Sequence, residues 1–197
     1  ALVRMRHPTW GVVPPASFIP GDGDPQLRAL SEFVVGRAMA DWAAFVRGGS
    51  PIEMTIHLPM SVLEDTDFID RMCLQLPIGF APARLTVEIS SVDVGRNPEL
   101  ARRAAKQLET YNVGISIDDV AAEASWADID DFPIAELQVD RSFVLGCAND
   151  QYKRAVCSMI LKIAERLSLG QGFLFAKPLE MHKFARTMLR RRSVPAK

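Results

Sequence analysis

Short apolar runs alternate with longer stretches of helical periodicity along the 197-residue chain. A run of about four to eight residues rich in aliphatic and β-branched side chains is typical of a strand. The sequence predicts strands at Leu2–Met5, Ile52–Leu58, Leu85–Ser90, Val113–Asp118, Ala135–Val139 and Gly172–Phe175. It predicts helices at Gln26–Arg47, Asp67–Leu76, Pro98–Tyr111, Gln151–Leu169 and Glu180–Arg192. This alternation favours parallel strands joined by crossover helices.

Two of the predicted helices carry further local signals. The first helix is expected to pack through one apolar face. The residues of that face are Leu27, Leu30, Phe33, Val34, Ala38 and Phe45. The helix from Pro98 begins with a residue suited to a first turn, and Asn97 is expected to cap it.

Within the predicted strands, aliphatic side chains point to one face and polar side chains to the other, because successive strand residues alternate. The polar residues that this alternation places near strand ends are Arg4, His57, Glu88, Asp118 and Gln138. A (β/α) barrel has this pattern, since helices cover its aliphatic outside and polar inner positions meet at the carboxyl-terminal mouth. An open doubly wound sheet is the alternative, but it favours continuous apolar runs. The alternation therefore predicts a barrel.

Two adjacent aspartates, Asp118 and Asp119, follow the apolar residues of the fourth predicted strand. Neighbouring carboxylates repel each other unless a cation or water lies between them. Two interpretations are open at this point: the pair binds a cation or a ligand, or it caps the next element.

Composition narrows the class of protein. A net charge of -1 gives no global basic field for nucleic-acid binding, and the basic run Arg190–Arg192 suits a solvated last helical turn. Three scattered cysteines indicate a reduced, intracellular chain without a disulfide framework or zinc site. No run of about 18 apolar residues occurs, so direct membrane insertion is not expected.

The N-terminal ALVRMRHP, followed by GVVPPASFIP, resembles the start of the EAL domain, the cyclic-di-GMP phosphodiesterase fold of bacterial signalling proteins. LTVEISS, SIDDVA, LQVDRSFV and QGFLFAKPL resemble later motifs of that family in the same order. The resemblance extends from Ala1 to Leu179. It implies a TIM-like (β/α) barrel of EAL type, with one antiparallel strand, that binds cyclic di-GMP at its mouth. It also implies a single EAL-like domain over residues 1–197, excised from a longer multidomain signalling protein. The expected location is the cytoplasm, either free or as part of a membrane-anchored protein.

One βα unit of the family has no counterpart between Leu169 and Gly170, and the glutamate of the family name would directly precede Ala1. A barrel needs about eight strands and about 250 residues, whereas six strands are predicted in 197 residues. Either the unit is deleted from the protein, or the sequence lacks a segment and ends that the protein has. The second explanation is favoured, because losing a unit would expose strand edges and core.

The resemblance implies a hydrolysis in which carboxylates and one asparagine hold two Mg²⁺ or Mn²⁺ ions. Glu88, Asp118 and Asp119 occupy metal-ligand positions of this pattern. His57 stands at the asparagine position, as either a ligand for a softer ion or a neutral hydrogen-bonded histidine. We expect a vestigial or weak metal site and no tightly bound cofactor, with Mg²⁺ or Mn²⁺ as the ions if the site survives.

Several catalytic positions of the family are changed. Gln138 stands where the resemblance implies a lysine that positions the attacking water, and Ser91 stands at a glutamate position. The loop at 120–124 lacks the family's glycines, which disfavours its usual path at positive φ. Losing one well-placed electrostatic group commonly costs about 10²–10³ in rate. The sequence therefore predicts an inactive, degenerate phosphodiesterase.

The residues that the resemblance assigns to ligand binding are all present: Arg4 for phosphate, and Asp140, Gln171 and Pro178 near the guanine or the pocket wall. Arg4 could instead pair with a barrel carboxylate, and Asp140 with Arg141 could cap a helix. The leading hypothesis is a non-hydrolytic receptor of cyclic di-GMP. The alternative is a protein-interaction or homodimerisation module that serves other signalling domains or a protein partner. An active metal-dependent phosphodiesterase is the third and least favoured hypothesis.

Overall fold

The computed structural model describes residues 1–21, 23–49, 52–76, 85–120 and 133–163. Within these ranges, the strands are β1 (Met5–His7), β2 (Gly11–Val13), β3 (Met54–His57), β4 (Leu85–Ser90), β5 (Gly114–Val120) and β6 (Ile134–Val139). The α-helices are α1 (Pro25–Arg47), α2 (Met60–Leu63), α3 (Thr66–Cys73), α4 (Ser91–Arg96), α5 (Pro98–Thr110), α6 (Arg141–Val144) and α7 (Gln151–Ile163). A 3₁₀ turn covers Pro15–Ser17.

The parallel sheet has the order β3-β4-β5-β6, and β1 and β2 form a separate antiparallel hairpin. The register sets His57 opposite Glu88 and Ser90 opposite Asp118. Because strand neighbours alternate between faces, one face of the sheet is aliphatic and the other is polar. Ile56, Val87 and Ile117 on the aliphatic face are fully buried in the core. The predicted parallel α/β arrangement is confirmed for the four central strands.

The helices cover the aliphatic face, and their local signals mostly agree with the sequence. Asn97 caps α5, since its side-chain oxygen accepts a hydrogen bond from the Leu100 backbone N–H at 3.1 Å. The predicted apolar face of α1 is wrong in part, because Phe33 is 66% exposed. The buried stripe is rotated by about one or two positions and consists of Leu27, Ser31, Val35, Ala38, Met39, Trp42 and Phe45.

The first strand differs from its prediction. A strand was expected at Leu2–Met5, but β1 begins only at Met5, because it pairs with the unpredicted strand β2 across a tight turn. The residues before β1 contact β3 instead, since the Ala1 nitrogen donates a hydrogen bond to the Thr55 carbonyl. The predicted elements Gly172–Phe175 and Glu180–Arg192 lie outside the described residues.

No α-helix in the described ranges combines the length and apolar character that a membrane span needs.

Candidate functional site

The polar face of the parallel sheet gathers three potential metal ligands from three adjacent strands. These are His57 at the end of β3, Glu88 on β4 and Asp118 on β5, and we call them the His57–Glu88–Asp118 cluster. Their ligand atoms all lie within 4.8 Å of one another. His57 Nδ1 and Glu88 Oε1 lie 3.4 Å apart. Strand register therefore brings together residues that are far apart in the sequence.

Gln138 on β6 completes the polar contacts of Glu88. Its side-chain amide donates to Glu88 Oε2 at 2.8 Å and to Ser116 Oγ at 3.4 Å. Glu88 thus has one carboxylate oxygen directed to Gln138 and the other to His57. The glutamine fills this position with a neutral donor that cannot carry or release a proton in the way that a lysine can.

The ionisable groups of the cluster shift one another's pKa values. Burial alone raises the pKa of Glu88, but the hydrogen bonds from His57, Gln138 and Asp118 together outweigh it and hold the pKa below its ordinary value. Burial, followed by the charge of Glu88, raises the pKa of Asp118 to about 6. The hydrogen bond to Glu88 raises the pKa of His57. Below about pH 6, these directions describe an ionised Glu88 that accepts hydrogen bonds from a protonated Asp118 and from the imidazole.

Asp119 lies outside the cluster, because a β-bulge interrupts the alternation of β5. Ile117 pairs with Leu137 while Val120 pairs with Val139, so β5 holds one more residue than β6 over this interval. Asp119 takes up the extra position in the left-handed region, with φ 52°, and its side chain is exposed. The bulge lets Val120 return to the aliphatic face, where it is fully buried.

Ser91 stabilises the backbone of this bulge. Its hydroxyl donates to the Asp119 carbonyl at 2.8 Å. The Asp119 backbone N–H also donates to Asp118 Oδ1 at 2.7 Å, which orients the Asp118 carboxyl. Of the two adjacent aspartates, Asp118 therefore contributes to the cluster, while Asp119 supplies the turn that positions it.

The residues expected to bind a ligand have different surroundings. Arg4 is exposed and donates to the neighbouring Val3 carbonyl at 2.7 Å. Asp140 caps α6 by accepting from the Ser142 backbone N–H at 2.6 Å, as the capping interpretation expects. Gln171, Pro178 and residues 121–124 of the glycine-poor loop lie outside the described residues.

Sequence reasoning missed a buried carboxyl on the same polar face. Glu136 is only 6% exposed, and burial, together with the charge of Glu88, raises its pKa. Its register partner is Ser116, which is fully buried. The signal was present in the sequence, because Glu136 has the same strand parity as Gln138.

The donor set of the cluster fits a single divalent cation. One imidazole and two carboxylates can surround one ion, with water completing its shell. Among the described residues, this is the one group of three or more such side chains that converges on a point. The described part of the chain thus fits one ion better than a pair of ions.

Comparison with known proteins identifies similar chains. A family model described as "EAL domain" matches residues 1–171. The cyclic di-GMP phosphodiesterase PA2567 of Pseudomonas aeruginosa is 25% identical, over 91% of this chain and 35% of its own length. The EAL enzyme Bd1971, solved with cAMP and cyclic di-GMP, superposes with a TM-score of 0.77 at 20% identity, covering 95% of this chain and 59% of Bd1971. The phosphodiesterase PaMucR, solved in complex with c-di-GMP, gives a TM-score of 0.74 at 22% identity, covering 98% of this chain and 78% of PaMucR.

The curated relatives are longer than this chain. It spans about a third of the length of PA2567. The alignment with PA2567 runs over 205 residues, although the chain has 197, so the relative contains residues with no counterpart here.

Proposed function

The chain belongs to the EAL domain family, and from that premise we propose that it is a non-hydrolytic receptor of cyclic di-GMP in bacterial signalling. The fold is the TIM-like barrel of that family, as its solved structural neighbours show. In such barrels, ligands bind at the carboxyl-terminal ends of the strands. The His57–Glu88–Asp118 cluster and Gln138 lie at these ends.

The hydrogen bond from Gln138 to Glu88 is the observation that carries the non-hydrolytic part of the proposal. At 2.8 Å, the Gln138 side-chain amide is engaged in donating to the Glu88 carboxylate. A neutral amide supplies neither the positive charge nor the proton transfer that activates a water for attack on a phosphodiester. Ser91 is likewise engaged with the Asp119 carbonyl and carries no charge.

Retained ligand binding rests on Arg4. Its guanidinium is exposed, and within the described residues it forms no salt bridge with the cluster carboxylates. A guanidinium can hold a phosphate through two parallel hydrogen bonds, which makes it suited to a cyclic dinucleotide. Two structural neighbours of this fold were solved with this dinucleotide bound.

Calorimetric titration with cyclic di-GMP tests the receptor function. The protein is first treated with a chelator, and binding is measured in its presence. Arg4→Ala should weaken binding by about 1.5–3 kcal/mol, the value of a hydrogen bond to a charged group. Arg6→Ala, which removes an exposed arginine two residues away, is the matched control and should bind like the parent. Circular dichroism verifies that both variants are folded.

Product analysis tests the absence of hydrolysis. Incubation of cyclic di-GMP with the protein and Mg²⁺ or Mn²⁺ should leave the cyclic form intact. Accumulation of linear dinucleotide at the rate of an active family member would identify an enzyme instead. If the parent protein gives no binding heat at high ligand concentration, the receptor proposal is wrong and an interaction module becomes the better hypothesis.

A further inference from the structure

We propose that the His57–Glu88–Asp118 cluster binds one transition-metal cation of the zinc, cobalt and nickel class, and that His57 selects this class over Mg²⁺. The inference goes beyond the receptor function and does not depend on the dinucleotide. It follows from the type, spacing and support of the three side chains.

The spacing suits a single ion. Metal–ligand bonds of about 2.0–2.2 Å place neighbouring ligand atoms about 3–4 Å apart around the metal. His57 Nδ1 and Glu88 Oε1 are 3.4 Å apart, and the whole set lies within 4.8 Å. The three ligand atoms therefore occupy a space only slightly wider than one coordination shell.

The donor type decides the class of metal. Mg²⁺ prefers an octahedron of hard oxygen ligands and keeps several of its waters, whereas imidazole favours borderline ions such as Zn²⁺ and Ni²⁺. His57 is half-exposed at the end of β3, which gives the ion and its waters access from solvent. The imidazole is therefore a suitable ligand for a borderline ion and a poor one for Mg²⁺.

Hydrogen bonds behind the ligands hold them in place. Gln138 donates to Glu88 Oε2 at 2.8 Å and leaves Oε1 on the side of His57. The Asp119 backbone N–H donates to Asp118 Oδ1 at 2.7 Å. Such supporting contacts orient metal ligands and commonly account for about 10–100-fold in affinity. Both carboxylates are thus positioned before any ion arrives.

A metal titration of the chelator-treated protein tests the inference. We expect one Zn²⁺ or Co²⁺ ion per chain, bound at least about tenfold more tightly than Mg²⁺, because of the imidazole ligand. The Co²⁺ absorption spectrum reports nitrogen and oxygen ligands independently of any activity. His57→Asn should weaken Zn²⁺ binding at least about tenfold, since a direct ligand exceeds a supporting contact. The same substitution should narrow the gap between Zn²⁺ and Mg²⁺.

Three control variants separate this site from other zinc ligands. His7→Asn removes a histidine on the β1–β2 hairpin, and Asp119→Asn removes the carboxylate next to Asp118; both should bind Zn²⁺ like the parent. The double variant Cys147→Ser/Cys157→Ser removes two thiols and should also retain binding. Zinc binding that is lost with the thiols but unchanged in His57→Asn would overturn the proposal, as would equal affinity for Mg²⁺. A negative result in the metal titration would not affect the receptor proposal, because dinucleotide binding is measured in the presence of a chelator.

Discussion

Replacing Asp118 with asparagine is expected to stabilise the fold at pH 8 in metal-free buffer. The pKa of Asp118 is raised to about 6 by burial and by the charge of Glu88. Because the folded state holds this proton more tightly than the unfolded chain, the stability linked to it is complete at low pH and is lost as the pH rises through 6. Asparagine is neutral at every pH and avoids this loss.

The structure limits the size of the effect. A pKa raised from 3.8 to about 6 corresponds to at most about 3 kcal/mol, at about 1.36 kcal/mol per pKa unit. Asp118 is only half-buried, and solvent screening reduces the value by half or more. We therefore expect Asp118→Asn to raise the free energy of unfolding by about 1 kcal/mol at pH 8. The amide can still accept from the Asp119 N–H and donate to Glu88.

Urea denaturation at pH 8 and pH 4, in the presence of a chelator, measures the difference. At pH 4 the parent carboxyl is protonated in the folded state, so the two proteins should have nearly equal stability. Asp119→Asn, at an exposed residue outside the cluster, is the control and should not reproduce the gain at pH 8. An Asp118→Asn variant that is less stable than the parent at pH 8, or that differs equally at both pH values, would refute the reasoning. Zn²⁺ at about 100 times its Kd should reverse the order, because bound metal stabilises the parent by about 2.7 kcal/mol.

Two further predictions concern neighbouring positions. Gln138→Lys should produce no detectable hydrolysis of cyclic di-GMP with Mg²⁺ or Mn²⁺, because a lysine beside Glu88 restores the charge but not the ligands replaced by His57 and Ser91. Chromatography of the products measures hydrolysis. Linear dinucleotide formed at an active enzyme's rate would contradict the prediction. Asp119→Val should lower the free energy of unfolding by about 1–2 kcal/mol, because a β-branched residue is strained at φ 52°. Urea denaturation checks the loss against Asp119→Asn, which tolerates this conformation, and equal stability of the two variants would contradict it.

Much of the polar face could be predicted from strand alternation. His57, Glu88, Asp118 and Gln138 all lie on it, and parallel strands align their ends. Glu136 obeys the same parity and could have been found in the same way. The start of α5 at Pro98 could also be predicted from the sequence, because the Asn97 cap depends only on residues within one helical turn.

Other features depend on contacts between distant segments. By strand alternation alone, Asp119 would lie on the aliphatic face and be buried. It is exposed because β5 has a bulge, and a bulge is defined by pairing with β6 rather than by the sequence of β5 itself. The hairpin of β1 with β2 was missed, because a three-residue strand carries too little pattern to distinguish it from a loop. The buried stripe of α1 was misplaced at Phe33, since several faces of that helix are apolar and the sheet determines which one is buried.

The sequence by itself determined which residues alternate, where helices begin and which chemical groups stand at the strand ends, because these properties depend on neighbours a few residues apart. Only the tertiary structure decided that Gln138 donates to Glu88, that His57 approaches the same carboxylate and that Asp119 stays outside the cluster. Those contacts join residues up to 50 positions apart. Their distances follow from strand register and from one bulge, which are settled by packing across the sheet.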